Sequence, residues 1–494
     1  MHQRTSGLLL HPTSLPGAGP SGTLGGAALE FVGFLAASGS RLWQVLPLGP
    51  PAAADSPYMA TSAFALNPLL LDAEDLIARG WLAPETLLRR PARAPESDFA
   101  AHAEWQRTVL IPALVDGFSE ASTDAECAAF TAFCAASDWL HDFALFEVIG
   151  QRHGAGHWQR WPEELRDRDA AALARFEATE EAALHAVKLT QFAVDLQWQA
   201  VRAAAHRAGI QIVGDIPIFV SLHSADVWTD RALFSLDASG EPAFVAGVPP
   251  DYFSEIGQRW GNPLFDWQES ARTGHRWWIR RVQACLRQAD LIRIDHFRGF
   301  EAYWAIPAAA PDARSGSWQP GPGRAFFDAL RAALGDLPII AEDLGIITPE
   351  VEALRDGLGL PGMKILHFAF GGGDDHPYLP HNFPTRCVAY TGTHDNDTTV
   401  GWYEASSEAE RDRIRRYLSA DGQDIAWQLM EPLWRSSAER VVVPVQDLLS
   451  LGTQERMNRP GTATGNWCWR LRDGALTEEV AERLRALNHR YGRM

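Results

Sequence analysis

The sequence predicts an α/β chain folded as a (β/α)8 TIM barrel, with a large, mostly helical inserted subdomain and long loops on its active face. Three observations predict it. Eight short β-type runs recur along the 494 residues, each ending in a polar or Gly/Pro-rich turn. The runs are nearly continuous in apolar residues rather than alternating, the pattern of strands buried on both faces of a parallel sheet. Segments with helical periodicity, such as FFDALRAALGD (326–336) and EVEALRDGLG (350–359), lie between them, as barrel topology requires.

In chain order, GLLLHPTSLPG (7–17) reads as the first strand with its turn and RLWQVLPLGP (41–50) as the second. A long interval follows, and much of it is Ala-rich and amphipathic, for example 171–210. Residues 73–205 are therefore expected to form a helical subdomain inserted between strands two and three. The third strand is IQIVGDIPIFV (210–220). After it, 221–275 is long, aromatic and punctuated by Gly and Pro, which predicts a loop-rich insertion covering the groove on the active face. The remaining strands are DLIRIDHFRGF (290–300), LPIIAEDLG (337–345), MKILHFAF (363–370), CVAYTGTHDND (387–397) and RVVVPVQDLL (440–449). The chain 1–494 is expected to be one elaborated catalytic domain, because no repeat, low-complexity tract or flexible linker divides it.

Composition narrows the chemistry. A formal charge of −18 argues against polyanionic partners, so neither nucleic acid nor an acidic membrane surface is expected. Only Lys188 and Lys364 are lysines, which removes most Schiff-base and P-loop chemistry. Cys127, Cys134, Cys285, Cys387 and Cys468 form no CxxC pair and no metal-type spacing, so a reducing, cytoplasmic setting is expected. The opening apolar run is too short for a signal peptide, and no run of about 20 apolar residues occurs. Nineteen tryptophans are a surplus, to be divided between core filling and flat ring surfaces that stack on sugars or bases.

In a barrel the chemistry sits where strands end. Here those ends carry Asp215, Asp295, Glu342, His367, His394 and Asp395. Two carboxylates facing one bond are what glycoside cleavage needs, one to attack the anomeric carbon and one to protonate the leaving oxygen. Arg293, two residues before Asp295, should face the same side of the strand and keep that aspartate ionised. Glu342 needs a raised pKa to act as the acid, which a neighbouring carboxylate supplies. A metal-dependent enolase-type lyase is the rival from another class, since strand-end acids can hold Mg²⁺. It also needs a base at a strand end, whereas Lys364 opens its strand. No metal or cofactor is expected.

The segments SGLLLHPTSLPG (6–17), GDIPIFVSLHSADVW (214–228), IRIDHFRGF (292–300), IIAEDLGIITPEV (339–351) and TGTHDNDT (391–398) resemble those of the 4-α-glucanotransferases, the amylomaltases or disproportionating enzymes of glycoside hydrolase family 77. The resemblance spans nearly the whole chain. It implies α-1,4-glucans and maltooligosaccharides as substrates, and a retaining double displacement with Asp295 as nucleophile and Glu342 as general acid/base. Asp395 resembles the family's third carboxylate. Arg293, His296 and His394 match positions around the reacting glucose, and Asp215 a further polar position of that site. Ser56, Tyr58, Asp251, Tyr252, Phe253, Gln258, Trp260, Asn466 and Trp467 match segments lining the glucan groove. A long glucan that accepts its own chain would close into a cyclic product. An α-amylase-like hydrolase is the nearest alternative, since the same barrel and acids would serve it.

Overall fold

The computed structural model describes residues 4–52, 55–154, 157–250 and 254–494. Its strands, in chain order, are β1 (Thr5–Leu9), β2 (Leu42–Gln44), β3 (Gln211–Pro217), β4 (Phe244–Val248), β5 (Gln258–Pro263), β6 (Leu291–Asp295), β7 (Ala302–Pro307), β8 (Ser317–Pro320), β9 (Ile339–Ala341), β10 (Gly362–Ile365), β11 (Cys387–Tyr390) and β12 (Arg440–Pro444). Eight of them form one parallel sheet in the order β10-β11-β12-β1-β2-β3-β6-β9, and each overlaps one of the eight predicted runs. The Ala341 N–H donates to the Pro361 carbonyl at 2.9 Å, which joins β9 to the start of β10 and makes the sheet a nearly closed (β/α)8 barrel.

The apolar runs become strands because both of their faces are covered. Val441, Val442 and Val443 of β12 are all essentially inaccessible, as are Ile292 and Ile294 of β6. Gly7 of β1 has a specific reason to be glycine: a Cβ there would lie 2.3 Å from the Leu42 carbonyl oxygen of β2. Tryptophan serves the core heavily. Trp43, Trp81, Trp158, Trp198, Trp228, Trp278 and Trp434 are fully buried, so much of the surplus is packing and not sugar recognition.

Between β2 and β3 the chain forms a series of helices, among them Asp124–Ala136, Leu140–His153 and Ala170–Arg207. Asp124–Ala136 starts with a capping box in which Thr123 and Glu126 bond each other's backbone N–H. Ala170–Arg207 breaks at Glu180 (φ −111°, ψ 20°), where Arg152 pairs with the glutamate at 2.7 Å. Beyond the break it docks on the barrel, with Trp198 donating its indole N–H to the Gln288 carbonyl at 2.9 Å.

A second sheet departs from the sequence reading. Four antiparallel strands in the order β5-β4-β7-β8 draw two members from the segment expected to be loop-rich and two from the stretch after β6. They lie beside the mouth of the barrel, because β7 begins seven residues beyond Asp295. Among the described residues no helix is long and apolar enough to cross a membrane.

Candidate active site

The barrel register assembles the site. In the β3·β6 pair Asp215 is the direct partner of Arg293, and residues two apart on one strand project to the same side. Arg293 therefore reaches both acids: Nη1 donates to the two Asp215 oxygens at 2.9 and 2.7 Å, and Nη2 donates to Asp295 Oδ1 at 2.8 Å. The Tyr58 hydroxyl donates to Asp215 Oδ2 at 2.7 Å. Burial works against the Arg293 charge, but Asp215 and Asp295 outweigh it and hold the guanidinium protonated. Burial also pushes the Asp215 carboxyl up to about 7, with Arg293 pulling the other way. A guanidinium can only donate, so Asp215 meets it as a carboxylate.

Glu342 follows β9 directly, and the β6·β9 pair places Ala341 beside Ile294. Asp295 and Glu342 thus leave neighbouring strands at the same level. The glutamate is held at both oxygens: Oε2 accepts the His296 N–H at 2.6 Å, and Oε1 accepts the Leu344 N–H at 2.9 Å. Burial first, and the negative charge of Asp295 second, push its carboxyl up to about 8. Asp295 is more open, with 30% of its side chain exposed. Two adjacent carboxyls in unlike surroundings are how one site keeps an acid and a base apart.

His296 sits in the left-handed region (φ 51°), a strained conformation for a non-glycine residue and one that concentrates at functional sites. Its ring stands edge-on to Trp260 at 5.0 Å, and among the described residues its buried Nε2 has no hydrogen-bond partner. Burial lowers its pKa to about 4, so the ring is neutral at physiological pH. Burial likewise lowers that of His394, whose ring stacks on Tyr58 at 5.2 Å and lies 5.9 Å from Trp467. Its Nε2 is 3.4 Å from Asp395 Oδ2. Trp467 also takes positive φ (67°) and packs 5.8 Å from Tyr58.

His394 and Asp395 lie in the loop beyond β11, and not at the strand end itself. Asn458 donates to Asp395 Oδ1 at 2.6 Å, and Arg456 donates to the Asp395 carbonyl at 3.0 Å. Neither residue stood out in the sequence, nor did His11, whose pKa burial pushes down to about 3, with His394 adding to the effect. The only sequence signal for Asn458 was its place in a polar, proline-containing turn, MNRPG (457–461).

The groove residues separate into two sets. Tyr58, Trp260 and Trp467 join the acids and histidines as described. Ser56 accepts the Tyr58 N–H at 3.4 Å, and Gln258 accepts the Trp260 indole N–H at 3.1 Å. Asn466 is turned into its own loop, accepting from the Arg459 N–H at 2.9 Å and donating to the Thr462 carbonyl at 3.0 Å. Asp251, Tyr252 and Phe253 fall outside the described residues. His367 is a packing residue: buried, stacked on Trp402 at 4.5 Å and bonded to Thr399. Lys364 is the third residue of β10, one short of its end, with its ammonium 4.9 Å over the Tyr378 ring. Among the described residues no group of three or more His, Cys, Asp or Glu is placed to hold a metal ion.

Comparison with known proteins gives one consistent result. Residues 10–477 match the family model described as 4-alpha-glucanotransferase. A 4-alpha-glucanotransferase from Thermus thermophilus is 49% identical, the match covering 98% of this chain and 98% of the relative. One from Synechocystis is 45% identical over 100% and 99% of the two chains. The amylomaltase of Streptococcus agalactiae, solved in complex with acarbose, superposes with a TM-score of 0.96 at 36% identity, covering 99% of this chain and 100% of that one. The barrel, its strand-end acids and these matches over nearly the full length agree: the chain belongs to glycoside hydrolase family 77 and is a 4-alpha-glucanotransferase.

Proposed function

We propose that the chain transfers segments of α-1,4-glucan by retaining double displacement, with Asp295 as nucleophile and Glu342 as general acid/base. The observation that carries this reading is the pair of unlike carboxyls on adjacent strands. Asp295, salt-bridged to Arg293 and partly open, is suited to attack the anomeric carbon. Glu342, buried and raised to about 8, holds a proton at neutral pH and can give it to the departing glycosidic oxygen as the C–O bond breaks. The result is a glycosyl ester on Asp295 and a Glu342 carboxylate. That carboxylate then takes the proton from the 4-hydroxyl of an acceptor glucan or glucose, whose oxygen displaces Asp295.

Asp395 and the neutral rings of His296 and His394 would hold the hydroxyls of the reacting glucose, and the buried His296 Nε2, without a partner among the described residues, suits such a contact. Donor and product bonds are alike, so the reaction redistributes chain lengths, and a glucan that accepts its own far end becomes a cycloamylose. Trp467 and Trp260 flank the site and would exclude water, which favours transfer over hydrolysis. Residues 73–205 and 221–275 are read as elaborations of this one catalytic domain.

The test is incubation with maltotriose. Transfer yields glucose and a ladder of longer maltooligosaccharides without net new reducing ends. Glu342→Gln given an activated glycosyl fluoride, whose leaving group needs no proton, should accumulate an ester mapped to the Asp295 peptide. Reducing ends rising with every cleavage, or a label on any other residue, would overturn the reading.

A further inference from the structure

We propose that Asn458 is the positioning residue that fixes Asp395 for transfer, a role resting on the reading of Asp395 as the carboxylate that grips the reacting glucose. Asp395 stands in a loop with 46% of its side chain exposed, so the barrel itself does not set its rotamer. Asn458 does: its amide donates to Oδ1 at 2.6 Å, leaving Oδ2 toward the His394 ring. An amide donor carries no charge and cannot titrate, so it orients the carboxylate while leaving its full negative charge for the sugar.

The two residues are also gripped together. Arg456 donates to the Asp395 carbonyl at 3.0 Å and, through Nε, to the Asn458 carbonyl at 3.2 Å. The same guanidinium lies 3.5 Å from Asp397, which the Thr453 hydroxyl bonds at 2.8 Å. On the other side, the Trp467 backbone N–H donates to the Met457 carbonyl at 2.7 Å. The loop that delivers Asn458 is thereby tied both to the strand-end loop it serves and to the aromatic wall. Asn466, with its amide turned into its own turn, makes no such contact.

The experiment is a double-mutant cycle on disproportionation of maltotriose, with a glycosyl fluoride donor used where turnover is too slow to read. Asn458→Ala is expected to lower kcat about 30- to 100-fold, the scale of a lost hydrogen bond to a charged group, with KM within about threefold. In an Asp395→Ala background the same change should alter kcat less than about twofold, because the residue acts through Asp395. Asn458→Asp keeps the shape, loses the donor and adds a like charge, so it should be at least as impaired as Asn458→Ala. That variant also decides the matter if alanine unsettles the loop. Near wild-type turnover in Asn458→Asp, or a tenfold loss from Asn458→Ala persisting in the Asp395→Ala background, would overturn the positioning role. Near wild-type turnover in Asp395→Ala would instead overturn the reading of Asp395, and the proposal with it.

Discussion

Replacing Glu342 with glutamine should make the protein less active and, at alkaline pH, more heat-stable. A carboxyl raised from 4.5 to about 8 by burial and by Asp295 prefers its neutral form by roughly 5 kcal/mol. The folded chain keeps this proton between pH 4.5 and 8, whereas the unfolded chain has released it. Stability therefore declines as pH rises through that window, and the full penalty is present above pH 8. Glutamine never ionises and escapes the decline. It carries its own cost, because its NH₂ group must face either the His296 or the Leu344 N–H, leaving one donor without an acceptor, about 1–3 kcal/mol at every pH. Unfolding entropy for 494 residues is about 1 kcal/mol per degree, so each kcal/mol moves Tm by about 1 °C. Glu342→Gln should melt about 1–3 °C below wild type at pH 4.5 and about 2–4 °C above it at pH 9, while kcat falls about 10²- to 10⁴-fold. Calorimetry of both proteins from pH 4.5 to 9, beside glucose release from maltotriose, reads the effect. A Tm difference that stays constant across pH would refute the buried, protonated glutamate.

Arg293→Met leaves Asp215 buried without its cation, and should cost about 3–5 kcal/mol in urea unfolding as well as activity. Adding Asp215→Asn should recover at least half of the stability. Trp467→Ala opens the wall beside Tyr58 and His394 and should raise the share of hydrolysis, measured as reducing ends per glucose released. EDTA at millimolar concentration should leave glucose release from maltotriose unchanged.

The barrel was legible because each strand is buried on both faces and so writes itself as an apolar run: VVV at 441–443 and IIA at 339–341 have no other simple reading. The acids were legible for a related reason, since a charge ending such a run needs a purpose. The antiparallel sheet was not. Its strands FVAGV, QRWGNP, AYWAIP and SWQP are short, broken by Gly and Pro, and SWQP is exposed throughout. Their pairing depends on partners such as Ala246 and Ala305, far apart in the chain. Asn458 escaped because its meaning lies in a contact 63 residues away, which no local periodicity records. Arg293 and Asp295 show the opposite case, in which strand alternation alone predicted an ion pair seen at 2.8 Å.

The pairing of β1 with β12 also sets a schedule for the ribosome. The first strand lies between β2 and β12, and Arg4 at its edge bonds the Trp434 carbonyl, 430 residues later. At about 5–20 residues per second, a nascent chain waits tens of seconds between making one side of that seam and making the other. Throughout the wait, Leu8 and Leu9, buried in the finished barrel, belong to a sheet with an open edge, the kind of surface that recruits chaperones or a neighbouring polysome's product.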